Sequence, residues 1–244
     1  MEEQQKDEIL QTDLETRPSI ADKINMFVDE NRKLVSWVSI GAVLLVVVVY
    51  FVTNSIKKSA LENQEKAATA LSRVLPLYNA KDPASMQIAL YGDKTAKIRG
   101  EAVIGLVDIA NKYEGSPEGK LSALYAANLF ALQKKNGEAE KYFKIALESD
   151  SKLVVEGAYA GLGATQEAKG KYDEAIANYK KAVDNFTNFA SKNRYEYFQG
   201  LCYEKLGKKD EAVKIYQGII AENKTSEFIG RAKGGLVRLG TVIE

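Results

Sequence analysis

Between Leu34 and Ile56 the chain runs LVSWVSIGAVLLVVVVYFVTNSI, twenty-three residues without one charged side chain. A helix of that length, rising about 1.5 Å per residue, reaches roughly 34 Å and exceeds the roughly 30 Å hydrocarbon core of a bilayer. A buried helix of a soluble domain would be shorter or would show a polar stripe, and none is visible. The stretch is therefore expected to be a transmembrane helix, with Trp37 near one end and Tyr50 and Phe51 near the other in interfacial positions. The apolar run is too long for a cleaved signal, and KKSALENQ after it has no small-residue pair suited to cleavage, so it is expected to stay as an anchor. The lone cysteine, Cys202, stands far from the N-terminus and cannot serve as an N-terminal lipid attachment point.

The span divides the chain into residues 1–33, 34–56 and 57–244. The first carries nine acidic against five basic residues and the third twenty-four against twenty-nine, so a near-neutral total hides two differently charged parts. A surplus of five spread over the third part is too dilute for a nucleic-acid surface, which needs a clustered basic face. One cysteine cannot form an intrachain disulfide and is compatible with a reducing or an oxidising compartment. The absence of histidine removes the commonest general base and metal ligand.

The first nineteen residues are polar and acidic and read as a disordered tail. Ile20, Ile24, Phe27 and Val28 then recur at helical spacing. They predict a short amphipathic helix, either lying on a membrane surface or simply extending the span. Beyond the span, Leu61, Ala68, Leu71, Leu75 and Tyr78 keep a helical period until Asp82-Pro83. Helical runs then alternate with breaks at Gly92-Asp93, Gly115 to Pro117, Asn136-Gly137, Lys169-Gly170 and Leu206-Gly207, and no sustained two-residue alternation is visible. The expectation is an all-α domain.

Its helices repeat. NGEAEKYFKIA, GKYDEAIANYKKA and GKKDEAVKIYQGI superpose Ala139, Ala175 and Ala212, each followed four residues later by an aromatic, Phe143, Tyr179 and Tyr216. Twelve residues before each alanine stands a small residue, Ala127, Gly163 or Gly200. The alanines are 36 and 37 residues apart, close to the roughly 34-residue period of a tetratricopeptide repeat. YAGLGATQEAKGKYDEAIANYKKA, with Tyr159, Leu162-Gly163, Ala175 and Tyr179, resembles one full unit of that family. Gln166 and Lys209 depart from its aromatic places, and Thr187 or Lys224 stands where it has a terminal proline. The resemblance implies a right-handed α-solenoid in which small residues let paired helices approach and aromatics fill the gaps between units. A degenerate fourth unit is expected to pair residues 58–80 with 98–113, and SEFIGRAKGGLVRLGTVIE to form a closing helix.

The order of tail, uncleaved anchor and helical domain, the last opening with IALYGDK and running through NKYEGSPEGKLSALYAANLFALQ, is similar to a bacterial family of membrane-anchored tetratricopeptide proteins. The characterised branch of that family is the ancillary subunit of the Sec translocon. The resemblance implies a single-pass inner-membrane protein with a cytoplasmic N-terminus, a periplasmic repeat domain, and the translocon, periplasmic chaperones or client polypeptides as partners. Charge bias does not orient the span, because Lys23, Arg32 and Lys33 on one flank match Lys57, Lys58 and Lys66 on the other.

Candidate chemistry has structural explanations. Asp173-Glu174 and Asp210-Glu211 recur at the first turn of successive second helices, where negative charge suits the helix dipole. Gly161-x-Gly163 and Gly234-Gly235 follow no strand and lack the context of a phosphate loop. Cys202 falls among core positions as an inert thiol. No enzyme activity, cofactor, metal, nucleic acid or small-molecule substrate is expected.

What remains is a surface. In the family the first helix of each unit lines the concave groove, which implies Leu121, Leu124, Asn128, Leu132, Arg194, Tyr197, Leu201 and Glu204 as its lining here. With Ala160 and Ala164 it is too apolar for a carboxylate clamp and suits extended or amphipathic segments of other proteins. The groove could instead be filled by residues 58–80 or 225–243. The readings are thus a membrane-anchored binder of polypeptides, or a scaffold of an envelope complex without client binding.

Overall fold

The computed structural model describes residues 19–80, 82–98, 100–185, 188–222 and 227–241. All but Ser19 of the expected nineteen-residue tail, and the proline-equivalent positions Thr187 and Lys224, lie outside them. The chain forms two compact units, Met1–Ser59 and Ala60–Glu244.

In the first unit, α1 (Ile20–Glu30) opens with a capping box. The Ser19 hydroxyl accepts from the Asp22 amide at 3.1 Å while the Ser19 amide donates back to the Asp22 carboxylate at 3.0 Å. Asn31 interrupts the helix, and α2 (Arg32–Ala80) follows. Its apolar window has a mean hydropathy of 2.6 and none of that window is buried, so by length and composition this helix can cross a membrane. Two of its hydroxyls bond their own backbone: Ser39 donates to the Val35 carbonyl and Thr53 to the Val49 carbonyl, each at 2.8 Å. An apolar solvent would demand that pairing.

In the second unit the end of α2 buries Ala67, Ala70, Leu71 and Val74, one helical face. Helix α3 (Pro83–Tyr91) is capped by Asp82, whose carboxylate accepts from the Ser85 amide at 2.9 Å. Next come two antiparallel strands, β1 (Asp93–Ile98) and β2 (Glu101–Val103), where the spacing predicted only helices. The expected helix over 98–113 is reduced to α4 (Leu106–Lys112). Gly100 at φ 84 makes the hairpin turn, and an irregularity in register between Asp93 and Lys97 breaks the two-residue alternation that would have revealed the strands.

The remaining helices stack as pairs: α5 (Pro117–Leu132) with α6 (Asn136–Ala146), α7 (Lys152–Ala168) with α8 (Tyr172–Asp184), and α9 (Phe189–Lys205) with α10 (Lys209–Glu222). Helix α11 (Phe228–Arg238) packs on α10 and α9, within the stretch expected to close the stack. Ala139, Ala175 and Ala212 are fully buried, and so are the aromatic rings of Phe143, Tyr179 and Tyr216 or very nearly. The close approach is literal at Gly200 and Gly163. A Cβ on Gly200 would lie 2.4 Å from the Tyr216 ring, and one on Gly163 would lie 2.6 Å from that of Tyr179.

Each turn inside a pair places one residue in the left-handed region: Lys134 (φ 59), Gly170 (φ 73) and Gly207 (φ 70). Two units use glycine there and the first uses lysine, which carries the Cβ penalty of that conformation. Lys134→Gly is therefore expected to raise stability by about 0.5–1 kcal/mol, read from the urea midpoint. A drop of similar size would mean that the lysine side chain contributes more than the strain it imposes.

Candidate functional site

The eight residues expected to line the first-helix face do not share one environment. Leu132 is 68 % exposed and Arg194 is also exposed, while Asn128, Leu121, Leu201 and Glu204 are half-buried. Leu124 and Tyr197, each 9 % exposed, belong to the core and not to a groove. The reason for Leu124 lies on the neighbouring helix, because Gly157 leaves room and the leucine Cδ2 fills it, 3.3 Å from where a glycine Cβ would stand. Tyr197 is covered by the closing helix, its ring 5.8 Å from that of Phe228 and 5.8 Å from that of Tyr216.

Glu204 is likewise committed. It accepts from the Tyr216 hydroxyl and from the Arg238 guanidinium, at 2.8 Å from Nη2, and so ties α9 to α10 and α11. Burial pushes its carboxyl up, but the hydrogen bonds from Arg238 and Tyr216 outweigh that and hold it below the ordinary glutamate value. Arg194 donates to the Tyr195 hydroxyl at 2.9 Å and lies over that ring. Tyr195 in turn donates to Glu156, only 2 % exposed, at 2.9 Å, joining α9 to α7. At the other end the Tyr78 ring lies 4.6 Å from that of Tyr125, tilted by 41°, and Asn128 donates to the Tyr78 hydroxyl at 3.4 Å. Both ends of the face are thus occupied by the chain's own aromatics.

The middle is open. A groove of about 390 Å³ lies between α5, α6 and α7, lined by Asn128, Ala131, Leu132, Asn136, Phe143, Gly161, Ala164, Thr165 and Ala168. Of the expected groove residues it brings together Asn128, Leu132 and Ala164. The others, Ala131, Asn136, Phe143, Gly161, Thr165 and Ala168, were not among those expected to line it, although Gly161, Ala164, Thr165 and Ala168 follow helical spacing of uniformly small residues that was there to be read. No lining residue is charged. Glu140, not part of that lining, binds Lys169 at 2.7 Å and Lys144 at 3.0 Å, which holds its carboxyl down at about 2 and links α6 to the end of α7.

The acidic pairs sit on the first turns of α8 and α10 and are exposed, with Asp173 bound by Lys208 at 2.9 Å and Glu174 by Lys171 at 3.2 Å. Gly161 and Gly163 lie within α7, and Gly234 and Gly235 within α11. Cys202 is fully buried, and burial, with the nearby Glu167 charge, pushes its thiol up to about 12, far from a reactive thiolate. Among the described residues no group of three or more acidic or cysteine side chains has the arrangement of a metal site.

Residues 161–227 match the tetratricopeptide repeat family model, a stretch running from within α7 across α8, α9 and α10. The chain therefore contains tetratricopeptide repeats. No curated protein matches the chain.

Proposed function

We propose that this chain is a membrane-anchored interaction protein, non-catalytic and without a cofactor, whose span holds it in the bilayer while its repeat domain binds polypeptide partners along the first-helix face. Tetratricopeptide repeats generally bind proteins. The observation that carries the reading is the open, uncharged groove between α5 and α7, on a face that the chain's own side chains fill elsewhere. We place the protein in a bacterial inner membrane with the tail in the cytoplasm and the repeats in the periplasm, near the Sec translocon and periplasmic chaperones. The support for that placement is the order of tail, span and repeats. A scaffold role without client binding is the second reading, favoured by the closure of the face at Tyr78 and Phe228.

Protease added to intact spheroplasts is expected to digest residues beyond the span, whereas protection until the membrane is broken would invert the topology. Partners that co-purify should survive replacement of Leu34–Ile56 by an unrelated apolar helix. Their loss would assign recognition to the span and favour the scaffold.

A further inference from the structure

The repeat supplies its own reference for the groove, because the junction between the second and third pairs shows what normally fills that place. Thirty-seven residues after Gly161 stands Phe198, whose ring stacks on Tyr179 at 5.6 Å and 28°. Leu201 stands in the same relation to Ala164 and is half-buried against the last core cluster. Thirty-six residues after Ala131 and Phe143 come Glu167 and Tyr179, joined by a hydrogen bond of 2.8 Å. At the first junction the phenylalanine is a glycine, the leucine an alanine, and the Tyr–Glu pair a Phe–Ala pair. Asn136 likewise replaces the counterpart of Tyr172, which packs against the second junction's core.

These reductions coincide at one place, although Asn128 and Leu132 are larger than their counterparts Ala164 and Ala168, and the Phe143 ring occupies the position at Gly161 from which a Phe198-like side chain would start. The vacancy that remains is uncharged and roomy enough for one large side chain. The side-chain amide of Asn136 in its lining offers a donor and an acceptor to an extended backbone.

We propose that this notch seats a single bulky apolar side chain, of the phenylalanine or leucine kind, projecting from an extended segment of a partner polypeptide, in the place that Leu201 fills one junction further on. This rests on the reading of the first-helix face as the binding face, and it names the anchor and its seat. The absence of charged lining residues argues against a carboxylate, phosphate or ammonium group as the anchor.

The test uses the full chain in lipid nanodiscs and a displayed library of random twelve-residue peptides. Enriched peptides are expected to share one Phe, Leu or similar residue whose change to serine weakens binding about tenfold to a hundredfold. The same loss is expected when the notch is filled by Ala164→Leu with Ala168→Lys, the residues that the next junction carries at those positions. Both sites are exposed, so the double variant should keep its melting temperature, and Lys180→Ser, at an exposed position of α8 outside the notch, is the control that should retain binding. Peptides that bind the filled variant as tightly as the parent would overturn the notch and leave binding elsewhere on the face standing. A library that yields no binder would overturn both. A dimer of the parent that dissociates in the filled variant would assign the notch to a second copy of the chain and likewise refute the proposal.

Discussion

Truncating Tyr216 to alanine is expected to cost the repeat domain about 3–5 kcal/mol, the range for removing a large buried aromatic. The side chain is fully buried, and a Cβ on Gly200 or on Gly235 would each come within 2.4 Å of its ring, so the two glycine-bearing helices close directly onto its faces. Its hydroxyl donates to Glu204, the same carboxylate that Arg238 of α11 binds, so the truncation also disturbs the tie between α9 and the closing helix. Tyr216→Phe separates the two contributions and should cost only about 1 kcal/mol, the value of one hydrogen bond. Urea denaturation followed by circular dichroism ranks them. Equal costs for the two variants would show that packing between the glycines is not what holds the last repeat.

Leu124→Asp is expected to destabilise by about 3 kcal/mol or more, because a carboxylate would have to be buried against Gly157 or α7 would have to move away. Leu132→Asp, eight residues along the same helix and exposed, should change stability by no more than about 0.5 kcal/mol. The first-helix alignment treats these two leucines alike, as groove residues whose change should affect binding before stability. The structure separates them. A Leu124→Asp variant that unfolds with the parent midpoint would return Leu124 to the groove.

The difference between those leucines shows what could be read in advance. The apolar run from Leu34 to Ile56 is a property of consecutive residues, and the small-residue and aromatic spacing around Ala139, Ala175 and Ala212 is a property of a single period, so both were visible in one dimension. Whether a first-helix side chain faces outward depends on the size of a residue in the next unit. Gly157 admits Leu124, and Phe228 of the closing helix covers Tyr197. The hairpin at 93–103 escaped for a local reason, since its irregular register erased the alternation. The groove was legible only in part, at Asn128, Leu132 and Ala164, because the rest of it is made by small residues such as Gly161, and small residues inside a helix ordinarily read as packing.

The central claim is that polypeptide partners dock on the first-helix face at the open groove. Photo-crosslinking in living cells tests it most directly, with a photoreactive amino acid placed singly at Leu132 or Ala164 in the groove and at Lys180 or Lys214, exposed positions on the second helices α8 and α10. The account predicts discrete protein adducts from Leu132 and Ala164 and none from Lys180 or Lys214. Adducts formed only from the second-helix positions would contradict it.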